Sequence, residues 1–425
     1  MMAKPTGPIC NLDCKYCYYL EKERLYPERH SWRMSPQIQE EYIRQYIESQ
    51  EAPVVQFAWQ GGEPTLLGVE FFRRAVELQE KYARGKKIEN AFQTNGTLLD
   101  DEWGEVLVQN KFLVGLSVDG PEHIHDAYRL DKRGVGTHEQ VMKGLGVLKK
   151  HGVEFNTLTV VNRLNSQSPL EVYRYLKEIG STFFQFIPLV ERAAPPNSLL
   201  KLADPEQRGA TEVTEWSVDG EAFGDFLIKI FDFWVRNDVA KVFVQQFDIA
   251  LASWTGIEPP LCVFRKTCGE AMVVEHNGDV YSCDHYVYPQ HKLGNIARSE
   301  LREMAWSAKQ QSFGQNKKDT MTDYCRKCPV LFACNGDCPK HRFVSAPDGE
   351  QGLSYLCKGY RKFFTHIDRH MKAMAQLLRQ ERAPAEIMAM LREEDLTLAA
   401  NVIGRNASCP CGSGKKYKNC CIRTR

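Results

Sequence analysis

Cys10, Cys14 and Cys17 form a C-x3-C-x2-C loop in CNLDCKYCYY. Three thiolates on one short loop can hold three irons of a four-iron cluster. The fourth iron then lacks a protein thiolate and stays open to a substrate or cofactor, as a catalytic metal site does. A zinc loop that borrows a distant fourth ligand is the alternative. A second set, Cys262, Cys268, Cys283, Cys325, Cys328, Cys334, Cys338 and Cys357, contains the run C-x2-C-x5-C-x3-C and suits two four-thiolate sites. Two zinc sites are the alternative there. The tail CPCGSGKKYKNCC offers Cys409, Cys411, Cys420 and Cys421, one four-thiolate site on a module too small to fold without a metal.

Between and beside these sets lie other candidates. Gly61-Gly62-Glu63-Pro64, with Gln60 before it, follows an apolar run, and glycines at a strand end allow close approach to a ligand. Asn95 in QTNGT and Ser117 in GLSVDGP also end such runs; Arg129 follows in HDAYR. C-terminal strand ends are where β/α folds place ligands. Asp284 directly follows Cys283, so a carboxylate there could take a proton beside an electron-accepting centre. His285, Tyr286 and Tyr288 either line a site or pack. Lys415, Lys416 and Lys418 give the tail a local basic face, either for docking or for keeping a small module dissolved.

Stepping outward, these residues need a scaffold. Val54 to Trp59, Ile88 to Gln93, Phe112 to Ser117, Glu154 to Val161 and Thr182 to Pro188 read as buried parallel strands. Helix-period segments run from Ser35 to Gln50, Val69 to Ala83, Asp100 to Asn110, Thr137 to His151 and Pro169 to Ile179. Ser35-Pro36 is an N-cap with Pro at the first helical position, and Gly152 and Gly180 fit C-terminal caps. With a short first strand before Cys10, six β/α units result, which implies a parallel sheet with crossover helices. From Arg192 to Gly220 the chain reads as a long loop near a site. A helix from about Glu221 to Asn237 follows. Asn277-Gly278 predicts a two-residue hairpin turn. Lys362 to Arg392 reads as helical.

Composition narrows the class. The 425 residues suit two or three domains, and 55 Lys+Arg against 54 Asp+Glu give no broad basic surface, so nucleic acid is not an expected partner. No run of some 18 uncharged apolar residues predicts a membrane span, and no secretory signal is expected. The 15 cysteines are clumped, which reads as metal ligation in a reducing, cytoplasmic setting and not as a disulfide scaffold.

KPTGPICNLDCKYCYYLEKE resembles the cluster loop of radical S-adenosylmethionine (SAM) enzymes, and more narrowly the anaerobic sulfatase-maturating enzymes, over residues 4 to about 370. The resemblance implies an α/β fold: a partial (β/α)6 barrel over 1–240, a SPASM auxiliary-cluster domain over 241–360 and C-terminal helices over 361–404. The tail over 405–425 separately resembles the SEC-C zinc module, which is not part of the maturase pattern. The first resemblance implies three 4Fe-4S clusters and SAM, the second a zinc ion. Cys10, Cys14 and Cys17 would hold the SAM cluster. Cys262, Cys268, Cys283 and Cys338 would hold one auxiliary cluster; Cys325, Cys328, Cys334 and Cys357 the other. Tyr16, Gln60, Gly61, Gly62, Glu63, Ser117 and Arg129 would contact SAM, with Glu63 and its backbone at the amino group. The strand end at Asn95 would face SAM too. Asp284 would be the catalytic base and Tyr19 would lie by the substrate. The implied reaction is oxidation of a sulfatase Cys or Ser to Cα-formylglycine, with an unfolded sulfatase as partner and a flavodoxin or ferredoxin as electron donor. Two other readings stand beside it: a related enzyme that cross-links another peptide, and a zinc-binding adaptor.

Overall fold

In the computed structural model, residues 1–26, 31–207, 209, 211–402, 406–409 and 411–420 are described, with backbone only over 398–402. Seven parallel strands carry the first half: β1 (Met2–Lys4), β2 (Val54–Trp59), β3 (Lys87–Thr94), β4 (Leu113–Ser117), β5 (Phe155–Val161), β6 (Phe183–Pro188) and β7 (Phe243–Val244). Helices α1 (Pro36–Ser49), α2 (Val69–Tyr82), α3 (Asp101–Gln109), α4 (His138–His151) and α5 (Pro169–Glu178) make the crossovers. The six expected units are present. The two-residue β7 is an addition too short for any periodicity to announce.

Local signals act as expected at several ends. Ser35 Oγ accepts from Ile38 N at 3.2 Å ahead of Pro36. Gly152 takes a left-handed φ of 68° at the end of α4. Apolar faces of α1 to α3 pack on β1 to β3 in one core. A second core joins β4 to β7 with α6 (Gly220–Asn237), α7 (Gln245–Thr255) and α9 (Cys357–Arg379), the last of these lying along α6.

The sheet does not stop at β1. A hairpin of β8 (Val273–Glu275) and β9 (Asp279–Tyr281), followed by β10 (Lys292–Asn295), extends it, with β8 parallel to β1 at Lys4↔Glu275. The cysteine-rich segment thereby flanks the short first strand that sequence left thinly supported. The hairpin turn differs from expectation. His276, Asn277 and Gly278 form a three-residue loop, in which Gly278 N donates to Glu275 O and Gly278 sits at φ 84°. A left-handed third residue is the usual geometry of such a loop, and Gly meets it without strain.

The helix expected over 362–392 is two. It begins at Cys357, ends at Arg379, and resumes as α10 (Ile387–Val402). Pro384 forces Ala383 into an extended conformation and prevents continuation. Between α7 and α9 lies α8 (Ala308–Asp319), and β11 (Arg342–Ser345) pairs with β12 (Gln351–Ser354). The 192–219 segment is a loop, as expected. Arg192 ties it down by donating to the carbonyls of Asp204, Pro205 and Gln207 at 2.7 to 2.8 Å. No described helix is long and apolar enough to cross a membrane.

Candidate active site

The three-cysteine loop hangs from the end of β1 and is stitched to the end of β2. Gly62 N donates to Gly7 O at 2.7 Å, and Glu63 N to Ile9 O at 2.9 Å. A Cβ on Gly62 would lie 1.9 Å from the Ile9 carbonyl oxygen. Gly62 is therefore required first by the loop's own backbone, whatever ligand also approaches. Glu63 is buried, and its Oε1 accepts from Thr65 N, Thr65 Oγ1 and Thr94 Oγ1 at 2.7 to 3.0 Å. Its Oε2 accepts from Asn95 N at 2.8 Å. This carboxylate chiefly ties its own turn to the end of β3, leaving lone-pair capacity only on Oε2. The Asn95 amide in turn reaches Asn11 Oδ1 at 2.9 Å and Cys10 Sγ at 3.7 Å. On the other flank, Asp13 N and Lys15 N donate to the carbonyls of Leu130 and Tyr128.

One cavity gathers Cys10, Cys14 and Cys17 with Tyr16, Tyr19, Gln60, Gly61, Gly62, Glu63, Asn95, Ser117 and Arg129. Every residue expected at SAM lines it. Tyr16 contributes its ring, since its hydroxyl donates to Asp119 Oδ2 at 2.5 Å and accepts from Arg129 Nη1 at 2.8 Å. Arg129 Nε is buried with no partner. Arg129 lines the same cavity, and a guanidinium there fits an anionic group such as the carboxylate of SAM. Burial pushes the thiols up, Cys10 to about 12 and Cys14 to about 11, and raises Cys17 as well. Metal binding there must displace protons.

Asp284 sits beside this cavity, whose wall is formed by its neighbours His285, Tyr18 and Lys4. Lys4 Nζ pairs with Asp284 Oδ1 at 2.6 Å, and Tyr18 OH donates to Oδ2 at 2.7 Å. Burial opposes ionisation, but the Lys4 ammonium, His285 and the two hydrogen bonds outweigh it and hold Asp284 well below the usual carboxylate range. The group is an ionised acceptor with both oxygens oriented. Lys4 Nζ also lies 3.6 Å from the Tyr19 ring centroid. The Tyr19 ring lines the cavity while its hydroxyl hydrogen-bonds the fully buried Glu275. His285 reaches the cavity; Tyr286 packs on His291 and Phe313, and Tyr288 lies under Lys22.

Sequence reasoning missed Lys4, Tyr18, Glu275 and the ion pair of Glu191 with Lys340, which also lines the cavity. The chemistry-bearing types were in view, but their pairing spans up to 280 positions in the chain, from Lys4 to Asp284. Only the β1–β8 register brings Lys4 to the hairpin that carries Asp284.

The auxiliary cysteines fall into two neighbourhoods. Cys283 feels Cys338 and Cys262, and Cys268 feels Cys262. Cys334 feels Cys357 and Cys325, and Cys357 feels Cys325 and Cys328. Burial first raises Cys338 and Cys357 to about 12, with Asp337 next at Cys338 and the Cys325 sulfur next at Cys357.

Among the described residues, Cys409, Cys411 and Cys420 are the one set of three or more His, Cys, Asp or Glu whose ligand atoms all lie within 4.8 Å of one another. Their sulfurs are 3.3 and 3.5 Å apart at successive pairs. A tetrahedral ion with bonds of about 2.3 Å spaces sulfurs by roughly 3.8 Å, so this trio fits one ion. Cys421 lies outside the described residues. Neither the loop trio nor the auxiliary sets close so tightly, and a multi-iron cluster suits wider donor sets.

Comparisons with known proteins agree with this geometry. Residues 5–176 match the radical SAM superfamily, 262–329 the SPASM iron-sulfur cluster-binding domain, and 405–423 the SEC-C motif. The chain is 48% identical over 398 residues to a serine-type anaerobic sulfatase-maturating enzyme of Bacteroides thetaiotaomicron, covering 94% of this chain and 96% of that one. It is 34% identical over 373 residues to a cysteine-type enzyme of Clostridium perfringens, covering 86% and 95%. A solved structure described as native anSMEcpe with bound AdoMet and Kp18Cys peptide superposes with a TM-score of 0.77 at 33% identity, covering 88% and 98%.

Proposed function

Because the chain belongs to the anaerobic sulfatase-maturating enzymes of the radical SAM superfamily, we propose that it oxidises a Cys or Ser side chain of a sulfatase to Cα-formylglycine. The observation that carries the reading is the Asp284 carboxylate, held ionised by Lys4 and Tyr18 at the rim of the three-cysteine cavity.

The overall change removes a Cβ hydrogen atom, a proton and an electron from the substrate side chain. When bound, SAM and the cluster at Cys10, Cys14 and Cys17 supply a 5′-deoxyadenosyl radical, and two auxiliary clusters at the eight further cysteines supply an electron acceptor. The residues around them do the rest. Arg129 offers its guanidinium to the SAM carboxylate, with Ser117, Gln60 and the Gly61–Glu63 backbone along the same wall. Tyr16 is fixed by Asp119 and Arg129 and cannot swing into the cavity. The Tyr19 ring, locked through Glu275, forms the wall on the substrate side. Asp284 accepts the proton from the substrate thiol or hydroxyl, and the adjacent Lys4 keeps the carboxylate aligned.

Three 4Fe-4S clusters, a zinc ion on the tail, a flavodoxin or ferredoxin donor and a cytoplasmic location belong to the same reading. So does the division at 240, 360 and 404. The test uses anaerobically reconstituted enzyme, SAM, a reductant and a sulfatase-motif peptide, with peptide mass and 5′-deoxyadenosine as readouts. Aldehyde and deoxyadenosine are expected together. Deoxyadenosine with no peptide aldehyde overturns the sulfatase assignment and points to another peptide modification. A colourless protein that holds zinc alone overturns the radical chemistry.

A further inference from the structure

Helix α8 carries no apolar stripe, yet Gln310, Gly314 and Lys317 are buried along one face, at the i, i+4, i+7 spacing. That polar face grips the backbone around the first auxiliary set of cysteines. Gln310 Nε2 donates to Gly269 O at 2.5 Å and to Ser282 O at 3.1 Å, next to Cys268 and Cys283. Gly314 leaves room for the Cys268 carbonyl, which a Cβ would meet at 2.2 Å. Lys317 Nζ donates to the carbonyls of Cys262, Val263 and Arg265 at 2.6, 2.9 and 2.5 Å. One helix face thus fixes three of the four ligand segments.

Lys317 is fully buried. An ammonium has three N–H donors and no acceptor, and three carbonyls use all of them. A neutral amine would turn its lone pair on the third carbonyl, so the geometry requires the charged form. Among the described residues no carboxylate lies within ion-pair distance of Nζ. The nearby Asp337 is engaged by His341 and Ser354, each at 2.8 Å. Asp284 is engaged by Lys4 and Tyr18. The charge of Lys317 is balanced at contact range by carbonyl dipoles, buried beside Cys262, Cys268 and Cys338 with Asp337 and Arg342 as the further charges around it.

We propose that Lys317 raises the reduction potential of the cluster at Cys262, Cys268, Cys283 and Cys338 and so favours electron uptake at that centre. This rests on the reading that these four cysteines hold a cluster. The electron balance is simple. The substrate side chain gives up one electron beyond the hydrogen atom and the proton, and the centre that takes it becomes one unit more negative. A fixed, poorly screened positive charge stabilises that reduced form, since charge and hydrogen bonding near the ligands set cluster potentials.

The experiment is an EPR-monitored redox titration of reconstituted wild-type, Lys317→Gln, Lys317→Met and Lys317→Arg proteins, with iron content measured in parallel. The two neutral variants are expected to keep their iron and to accept an electron at least about tenfold less favourably at one centre. For one electron that is a shift of about 59 mV to more negative potential. Lys317→Arg is expected to stay near wild type. A neutral variant that is fully loaded with an unshifted midpoint overturns the proposal. Loss of that cluster from both neutral variants also overturns it, in favour of a purely structural clamp. Failure of the underlying reading shows separately, in the Cys283→Ala protein: if no iron is lost there, these cysteines hold no cluster.

Discussion

The loop at Cys10 to Cys17 and the tail at Cys409 to Cys420 look alike in sequence, as closely spaced cysteines on short segments. In the fold they are opposites. The loop is wrapped by strand ends, its thiols pushed up to about 12 at Cys10 and about 11 at Cys14 by burial, and its sulfurs do not close on one point. The tail closes three sulfurs within 4.8 Å, and at Cys411 hydrogen bonds from Ser413 and the neighbouring sulfurs draw the exposed thiol down to about 6. Spacing announces a metal; the surrounding structure selects between a cluster that exposes an iron to a cavity and an ion sealed by its own ligands.

Exchanging a ligand in each region gives the largest contrast. Cys14→Ala is expected to abolish deoxyadenosine formation and remove about four of about twelve irons. Cys411→Ala is expected to lose zinc and leave the iron count intact. Elemental analysis and product assay check both, and a tail variant that loses iron would erase the distinction. Next in size is Asp284→Ala. The carboxylate adjoins Cys283 but is not itself counted among the ligands, so clusters and deoxyadenosine should persist while aldehyde formation falls by about 10²–10⁴-fold, the usual worth of a positioned base. Normal turnover would place the base elsewhere.

Lys4→Met should cost less, about ten- to a hundredfold in aldehyde formation, as a misplaced reacting group does. Its sign is readable in a pH profile. Lys4 lowers the Asp284 pKa, so its removal raises that pKa. The acid limb of the aldehyde rate should then move to higher pH, whereas a merely structural Lys4 would scale the profile without shifting it.

The legibility of the sequence divides in the same way. Strands β2 to β6 and their crossover helices were readable because apolar runs and helix-period faces are local, and so were Ser35 and Gly152 as caps. The cysteine sets were readable from spacing. Pairings across the sheet were not. Nothing local marks Lys4 before β1 lies beside β8, or Tyr18 before the fold brings Asp284 to it. Glu63 showed its residue type but not its use, since its two hydrogen bonds from Thr94 and Asn95 at the end of β3 depend on the fold. Helix α8 was missed altogether, because its buried face is polar and carries no hydrophobic period.

The smallest effect concerns acid and the tail. A metal-bound thiolate competes with the proton for its lone pair, so a site releases its ion as pH falls through the range where its thiols protonate. With Cys411 drawn down to about 6, the tail site has one thiol already deprotonated at neutral pH and should release one proton fewer on binding zinc there. Its described contacts are internal: Ser408 bridges Lys416, and Tyr417 N donates to Ala407 O. Zinc removal at neutral pH by a chelator should therefore leave aldehyde formation within about twofold, a change smaller than the 1.4 kcal/mol that tenfold represents. Limited proteolysis should nevertheless open the tail, because so small a module lacks a core without its ion. A chelated protein whose tail resists protease would show that the module is held by something other than metal, and the contrast with the barrel loop would then rest on iron alone.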